Sequence, residues 1–169
     1  MISLFDSPRY YDKIIQEINL DLTGLGWIDT VYPLAMMGED EEGTFPEVYS
    51  NDGSRENIRA FPSGNSISFF TIEDQDQEDE SDYFDCPLSL IVWADLTKVD
   101  GTKEYNYTNE LVIEVYDVLT SHGAYNISID YQGVFDGFTQ LEKLENQNVM
   151  LPYTAFKISF SADVLICLS

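Results

Sequence analysis

The residues best placed to do chemistry in this chain are carboxylates. Eight of them occupy the thirteen positions from Glu73 to Asp85, in "EDQDQEDESDYFD". The heart of that run is Glu73, Asp74, Asp76, Glu78, Asp79, Glu80 and Asp82. A second patch, Glu39, Asp40, Glu41 and Glu42, stands in "GEDEEG". Three chemistries compete for the long run. A calcium loop of the EF-hand type needs oxygens at alternating positions, a glycine at the sixth and a bidentate Glu at the twelfth. Counting from Asp74 puts Asp76 and Glu78 in register, but Asp79 takes the glycine position and Asp85 the last. No dedicated metal site is therefore expected. Imitation of nucleic acid, as in acidic inhibitors of nucleases and DNA-binding proteins, suits the total charge. The bunching of the carboxylates in two places suits it less. A solvated loop is the default for a block of like charge.

Acid–base and nucleophilic chemistry has little to work with. The single histidine, His122, directly follows a helical pattern and precedes Gly123, where a helix C-terminus favours an imidazolium. No second histidine accompanies it, and there is no glycine-rich phosphate loop, GxSxG elbow, HExxH or CxxC. The expectation is a protein without catalytic activity or cofactor.

The totals bound the partners. The chain has 31 acidic and 8 basic side chains, a net charge of −23, and no Lys or Arg between Arg59 and Lys98. Binding to a phosphate backbone through counterion release needs cations that are missing here, so nucleic acid is not expected as a ligand. Cys86 and Cys167, both in apolar surroundings, read as reduced cysteines rather than a disulfide framework. No signal-peptide pattern and no run of apolar residues long enough to span a membrane is visible. With 44% hydrophobic and 14% aromatic residues in 169, the chain can bury a core without metals or disulfides.

The elements that must position these groups follow from periodicity. Ser7 and Pro8 start a helix whose apolar face is Tyr11, Ile14, Ile15, Ile18 and Leu22, ended by "TGLG". "WIDTVYPLAM" reads as a strand broken or edged by Pro33, and Phe45–Tyr49, Ile58–Phe61 and Ile67–Ile72 as further strands. In "PLSLIVWAD", Leu88, Leu90, Val92 and Ala94 share one face, with Ile91 and Trp93 on the other. Both faces are apolar, which marks a central strand. "LTKVDGTKEYN" reads as a loop. A second helix runs from Thr108 to Ser121 on the stripe Leu111, Val112, Val115, Val118 and Leu119. "YNISIDY" alternates with Tyr125, Ile127, Ile129 and Tyr131 inward. "DGFTQLEKLENQNVML" shows little more than one helical turn within a loop. Phe156 to Leu168 alternates over a long final strand.

The expected fold is α+β, a mixed or antiparallel sheet with two main helices packed on one face. A single domain covers residues 1–169, and the 73–85 run is a loop inserted between two strands of one sheet.

This order of elements resembles the tail-terminator and tail-completion proteins of tailed bacteriophages and the related ring proteins of phage necks. The matching stretches are the N-terminal helix, "VYPLA", "FPEVY", "LSLIVWAD", "TNELVIEVYDVL" and "PYTAFKISFSADVLI", from Tyr10 to Ile166. The richness in Tyr, Asn and Asp is similar to crAss-like phages. The resemblance implies a sixfold or twelvefold ring around a DNA channel, assembled in the host cytoplasm and carried in the virion. Neighbouring portal, neck or tail proteins are the implied partners, and no membrane is involved. DNA would pass through without specific binding, and the 73–85 run would line the channel or order against the next ring. The alternative is an acidic DNA mimic that inhibits a nuclease or a DNA-binding protein.

Overall fold

The computed structural model describes residues 10–49, 53–61, 64–72, 83–148 and 152–165. The elements in chain order are α1 (Tyr10–Gly24), β1 (Thr30–Leu34), β2 (Met36–Asp40), β3 (Gly43–Tyr49), β4 (Arg55–Asn57), β5 (Ser66–Ile72) and β6 (Tyr83–Asp95). After them come α2 (Leu96–Val99), α3 (Thr108–Ser121), β7 (Tyr125–Asp130), α4 (Thr139–Asn148) and β8 (Tyr153–Leu165). Five strands form a mixed sheet in the order β1-β5-β6-β8-β7, and β2-β3-β4 form a small antiparallel sheet. Only the β1–β5 pair is parallel within the larger sheet. The fold is α+β.

The two-faced pattern of β6 explains the layering. Leu88, Leu90 and Val92 enter one core with α1 and α3, through Ile15, Ile18, Leu22, Leu111, Val115 and Leu119. Ile91 and Trp93 enter a second core on the opposite face, with Phe69, Phe135, Phe138 and Leu141. A fully buried side chain of this size contributes about 1.5–3 kcal/mol, so a strand that fills both cores holds the layers together. Trp93 is the largest of them, with the Phe135 ring centroid 4.9 Å away and Phe61 edge-on at 5.1 Å.

The two expected main helices, α1 and α3, do share one face of the sheet, and α3 spans Thr108–Ser121 with His122 as its C-cap. Pro8 and Ser7 lie outside the described residues. Four expectations need correction. The segment around Thr139 is a ten-residue helix, α4, rather than one turn. Its polar composition hides it, because only Leu141 and Leu144 reach the second core. The strand expected across Pro33 is two strands, and at Ala35 the chain leaves the large sheet for the small one. The third strand of the small sheet is Arg55–Asn57, and Ile58 only follows it. Tyr131 lies past the end of β7 and is 44% exposed, so it does not point inward. The loop after β6 contains one helical turn, α2. There the Tyr107 hydroxyl donates to the Leu96 carbonyl and accepts the Asp100 N–H at 2.9 Å.

β6 and β8 pair along thirteen residues each, from Tyr83↔Leu165 to Asp95↔Tyr153. β5 accompanies β6 only from Leu88 onward. Among the described residues, Tyr83–Pro87 therefore pairs with β8 alone. Pro87 sits inside the strand, in register with Ser161 of β8.

Candidate functional site

The second acidic patch forms the tip of the β2–β3 hairpin. Asp40 pairs with Gly43, which leaves Glu41 and Glu42 as a two-residue turn. Gly43 has φ +126°, and a Cβ there would collide with the Thr139 hydroxyl, so glycine is required twice over. Gly38, one strand across, leaves room for the Phe45 ring, and the Arg59 guanidinium lies 4.2 Å over that ring.

The four carboxylates do different work. Asp40 accepts the Glu42 N–H at 2.8 Å and the Gln140 carboxamide at 2.7 Å, and it pairs with Arg59. These contacts, the Glu42 N–H foremost, hold its carboxyl below the usual range, although partial desolvation works the other way. Glu39, Glu41 and Glu42 are exposed. The whole tip is fastened to α4. Thr44 and Thr139 exchange backbone N–H donors and hydroxyl acceptors at 2.8 Å, the Thr44 hydroxyl donates to the Gly137 carbonyl at 2.6 Å, and Lys143 Nζ donates to the Glu42 carbonyl at 3.1 Å. The result is an acidic tip fastened to α4, with Thr139, Gln140 and Lys143 nearly a hundred positions away, and to Arg59. Sequence reasoning missed Thr44, Arg59, Thr139 and Gln140, because nothing in local composition ties a hairpin to a distant helix.

The longer run, Glu73, Asp74, Asp76, Glu78, Asp79, Glu80 and Asp82, lies outside the described residues. Its flanks are fixed. Ile72 stands beside Leu88, and Tyr83 is five positions further along β6, about 17 Å at the usual rise of a strand. On that two-stranded ribbon Asp85 and Asp163 are register partners. Among the described residues, no three His, Cys, Asp or Glu side chains converge to hold a metal ion. No described helix is long and apolar enough to cross a membrane. His122 meets Asp21 at 2.7 Å and joins the end of α3 to α1.

The large sheet ends in two strands of low charge. β1, "TVYPL", has no acidic or basic residue, and β7, "YNISID", has only Asp130, which pairs in register with Lys157. Next to β1, a groove of about 550 Å³ opens between that strand and α1, with Asp12, Ile15, Asn19, Leu20, Val31 and Pro33 among its lining. Asn19 bridges it by donating to the Tyr32 carbonyl at 3.2 Å. The Tyr32 phenol is pushed up to about 12, first by burial and then by Glu56 beside it. At the other end, Asn109, Ile113 and Tyr116 recur at i, i+4 and i+7 on the flank of α3 nearest β7. The Tyr131 hydroxyl donates to Asn109 there at 3.2 Å. Leu20 on α1 is 74% exposed, Ile113 59% and Tyr116 39%.

No known protein family, no curated protein and no solved structure matches the chain.

Proposed function

We propose that this protein is a structural subunit of a tailed-phage particle, one copy of a ring at the head–tail junction or the tail end. It surrounds the DNA channel and has no catalytic role. The observation that carries this reading is the separation of charge from contact surface. The chain carries −23, yet the two end strands of its main sheet are almost free of charge and are flanked by exposed Leu20, Ile113 and Tyr116.

Such a division suits a ring around DNA. Carboxylates on a rigid hairpin repel phosphates and let a genome slide without being gripped. Apolar patches with an aromatic among them supply subunit contacts. In this reading Glu39, Glu41 and Glu42, with the 73–82 run, face the channel or the neighbouring ring, and Asp40 keeps the hairpin in shape. Portal, neck or tail proteins are the neighbours, and the mature location is the virion. The experiment is the mass of the native assembly, on purified protein and on protein recovered from virions.

A further inference from the structure

We propose that β2 takes up an added strand, an extended segment of another protein with a Lys or Arg two positions from an apolar residue. The inference goes beyond the ring reading, because it holds for any neighbour that supplies such a segment. Its failure leaves that reading standing.

The end strands of the two sheets differ in what they offer. β1 has one residue more than β5 between Val31 and Leu34, contains Pro33, and has its Tyr32 carbonyl taken by Asn19. β7 has one residue more than β8 between Tyr125 and Ser128, with Asn126 at φ +50°. Bulges and prolines of this kind turn an edge away from further pairing. β4 is only three residues long. Of these end strands, only β2 pairs in unbroken register over as many as five residues.

Register also tells which groups β2 turns outward. Asp40 and Gly43 close a two-residue turn as a hydrogen-bonded pair, and such pairs alternate along an antiparallel ladder. Met36 and Gly38 therefore bond to β3, while Met37 and Glu39 point their N–H and C=O groups the other way. Pro46, the register partner of Met37, fits this by giving its carbonyl to the Ile58 N–H on the far side of β3. Among the described residues, no strand lies beyond β2. A strand added there gains main-chain hydrogen bonds and a fixed side-chain register.

Side chains select the occupant. Met36 and Met37 are 50% and 61% exposed, one on each face of the strand, and unbranched side chains adapt readily to a partner. Glu39 is exposed on the same face as Met37, and the exposed Glu41 and Glu42 follow at the turn. Asp40, on the other face, is already paired with Arg59. A second copy of β2 would bring its own carboxylates to this edge, and like charges across a ladder destabilise it. A basic residue across from Glu39 with an apolar one across from Met37 meets both demands.

The test uses the full chain and an eight-residue probe peptide, Thr-Val-Thr-Lys repeated once and blocked at both ends. Val and Lys then share one face. Two twins of the peptide carry N-methyl groups on alternate nitrogens. In NMR titration the parent peptide should bind at about 1 mM or below and slow hydrogen exchange at the Met37 and Glu39 amides. The twin methylated toward β2 should bind at least about tenfold more weakly, and the other twin should match the parent. Met37→Pro removes an outward N–H that the β2–β3 ladder does not use, and should cost at least about tenfold in affinity. Glu39→Lys, which inverts the charge, should weaken binding as well. Absence of binding at that concentration overturns the proposal. So does equal binding by the two twins, or an unaltered affinity in Met37→Pro, because either means attraction between opposite charges alone. If Met37→Pro does not fold, the twins decide on the unaltered chain.

Discussion

Gln140 donates its carboxamide to the Asp40 carboxylate at 2.7 Å, across 100 residues of chain. The same carboxamide also reaches the Gly43 carbonyl at 3.1 Å. One buried, neutral side chain on α4 thus holds both ends of the acidic turn. The turn keeps its shape although Glu41 and Glu42 repel each other, because hydrogen bonds from Gln140, Thr139 and Lys143 anchor it beside the Asp40–Arg59 ion pair.

The turn should fail first at its glycine. Gly43→Ala places a Cβ against Thr139 at a backbone angle that side chains rarely adopt. The expected cost is about 1–3 kcal/mol by chemical denaturation. Glu41→Ala, on the exposed side of the same turn, should stay within about 0.5 kcal/mol of the parent.

Asp40 should titrate abnormally. Its carboxyl is held below its ordinary value of 3.8. A depressed folded value means that its contribution is present above about pH 4, the unfolded value, and is lost as pH falls through the lower folded value. Carboxyl-carbon NMR should place its midpoint below 3.8. Gln140→Ala should move that midpoint up toward the ordinary value, since one of the hydrogen bonds to the charged form is gone.

How much of this was legible in the sequence differs by element. The two-faced apolar pattern of Leu88 to Ala94 announced a central strand, and the stripe from Leu111 to Leu119 announced α3 with its ends, because burial imposes a period that side chains must obey. α4 was not legible. Its helix is stabilised by end contacts from Thr139, Glu142 and Glu145 rather than by an apolar stripe: Glu142 accepts the Gly137 N–H and Glu145 the Val134 N–H, both at 3.0 Å. The acidic patch was legible as a patch, but composition alone does not separate Asp40, which turns inward, from Glu41, which faces water. Nor does any local pattern reveal that Leu20 and Tyr116 flank opposite ends of one sheet, since only the strand order places them.

The Tyr107 hydroxyl ties together the loop between β6 and α3. Tyr107 is buried, and its hydroxyl serves both the Leu96 carbonyl and the Asp100 N–H. Tyr107→Phe removes that partner while the Asp100 N–H still reaches the Leu96 carbonyl at 3.1 Å, so the expected loss is about 0.5–1.5 kcal/mol. The measurement is equilibrium unfolding in urea.

Trp93 separates packing from polarity in the second core. Its ring is fully buried, and its indole N–H has no hydrogen-bond partner among the described residues. Trp93→Ala should cost about 3–5 kcal/mol through the cavity it leaves. Trp93→Phe should cost markedly less, because the substitution removes an unsatisfied donor along with part of the ring. Thermal denaturation of the two variants side by side checks the order.

The central claim concerns assembly, and the native mass of the protein tests it most directly, measured on the purified chain and as a copy number in virions. The ring account predicts a sixfold or twelvefold species, or a fixed copy number of that size per particle. A monomer absent from every virion would contradict it, and imitation of nucleic acid would then be the better account of the −23 charge.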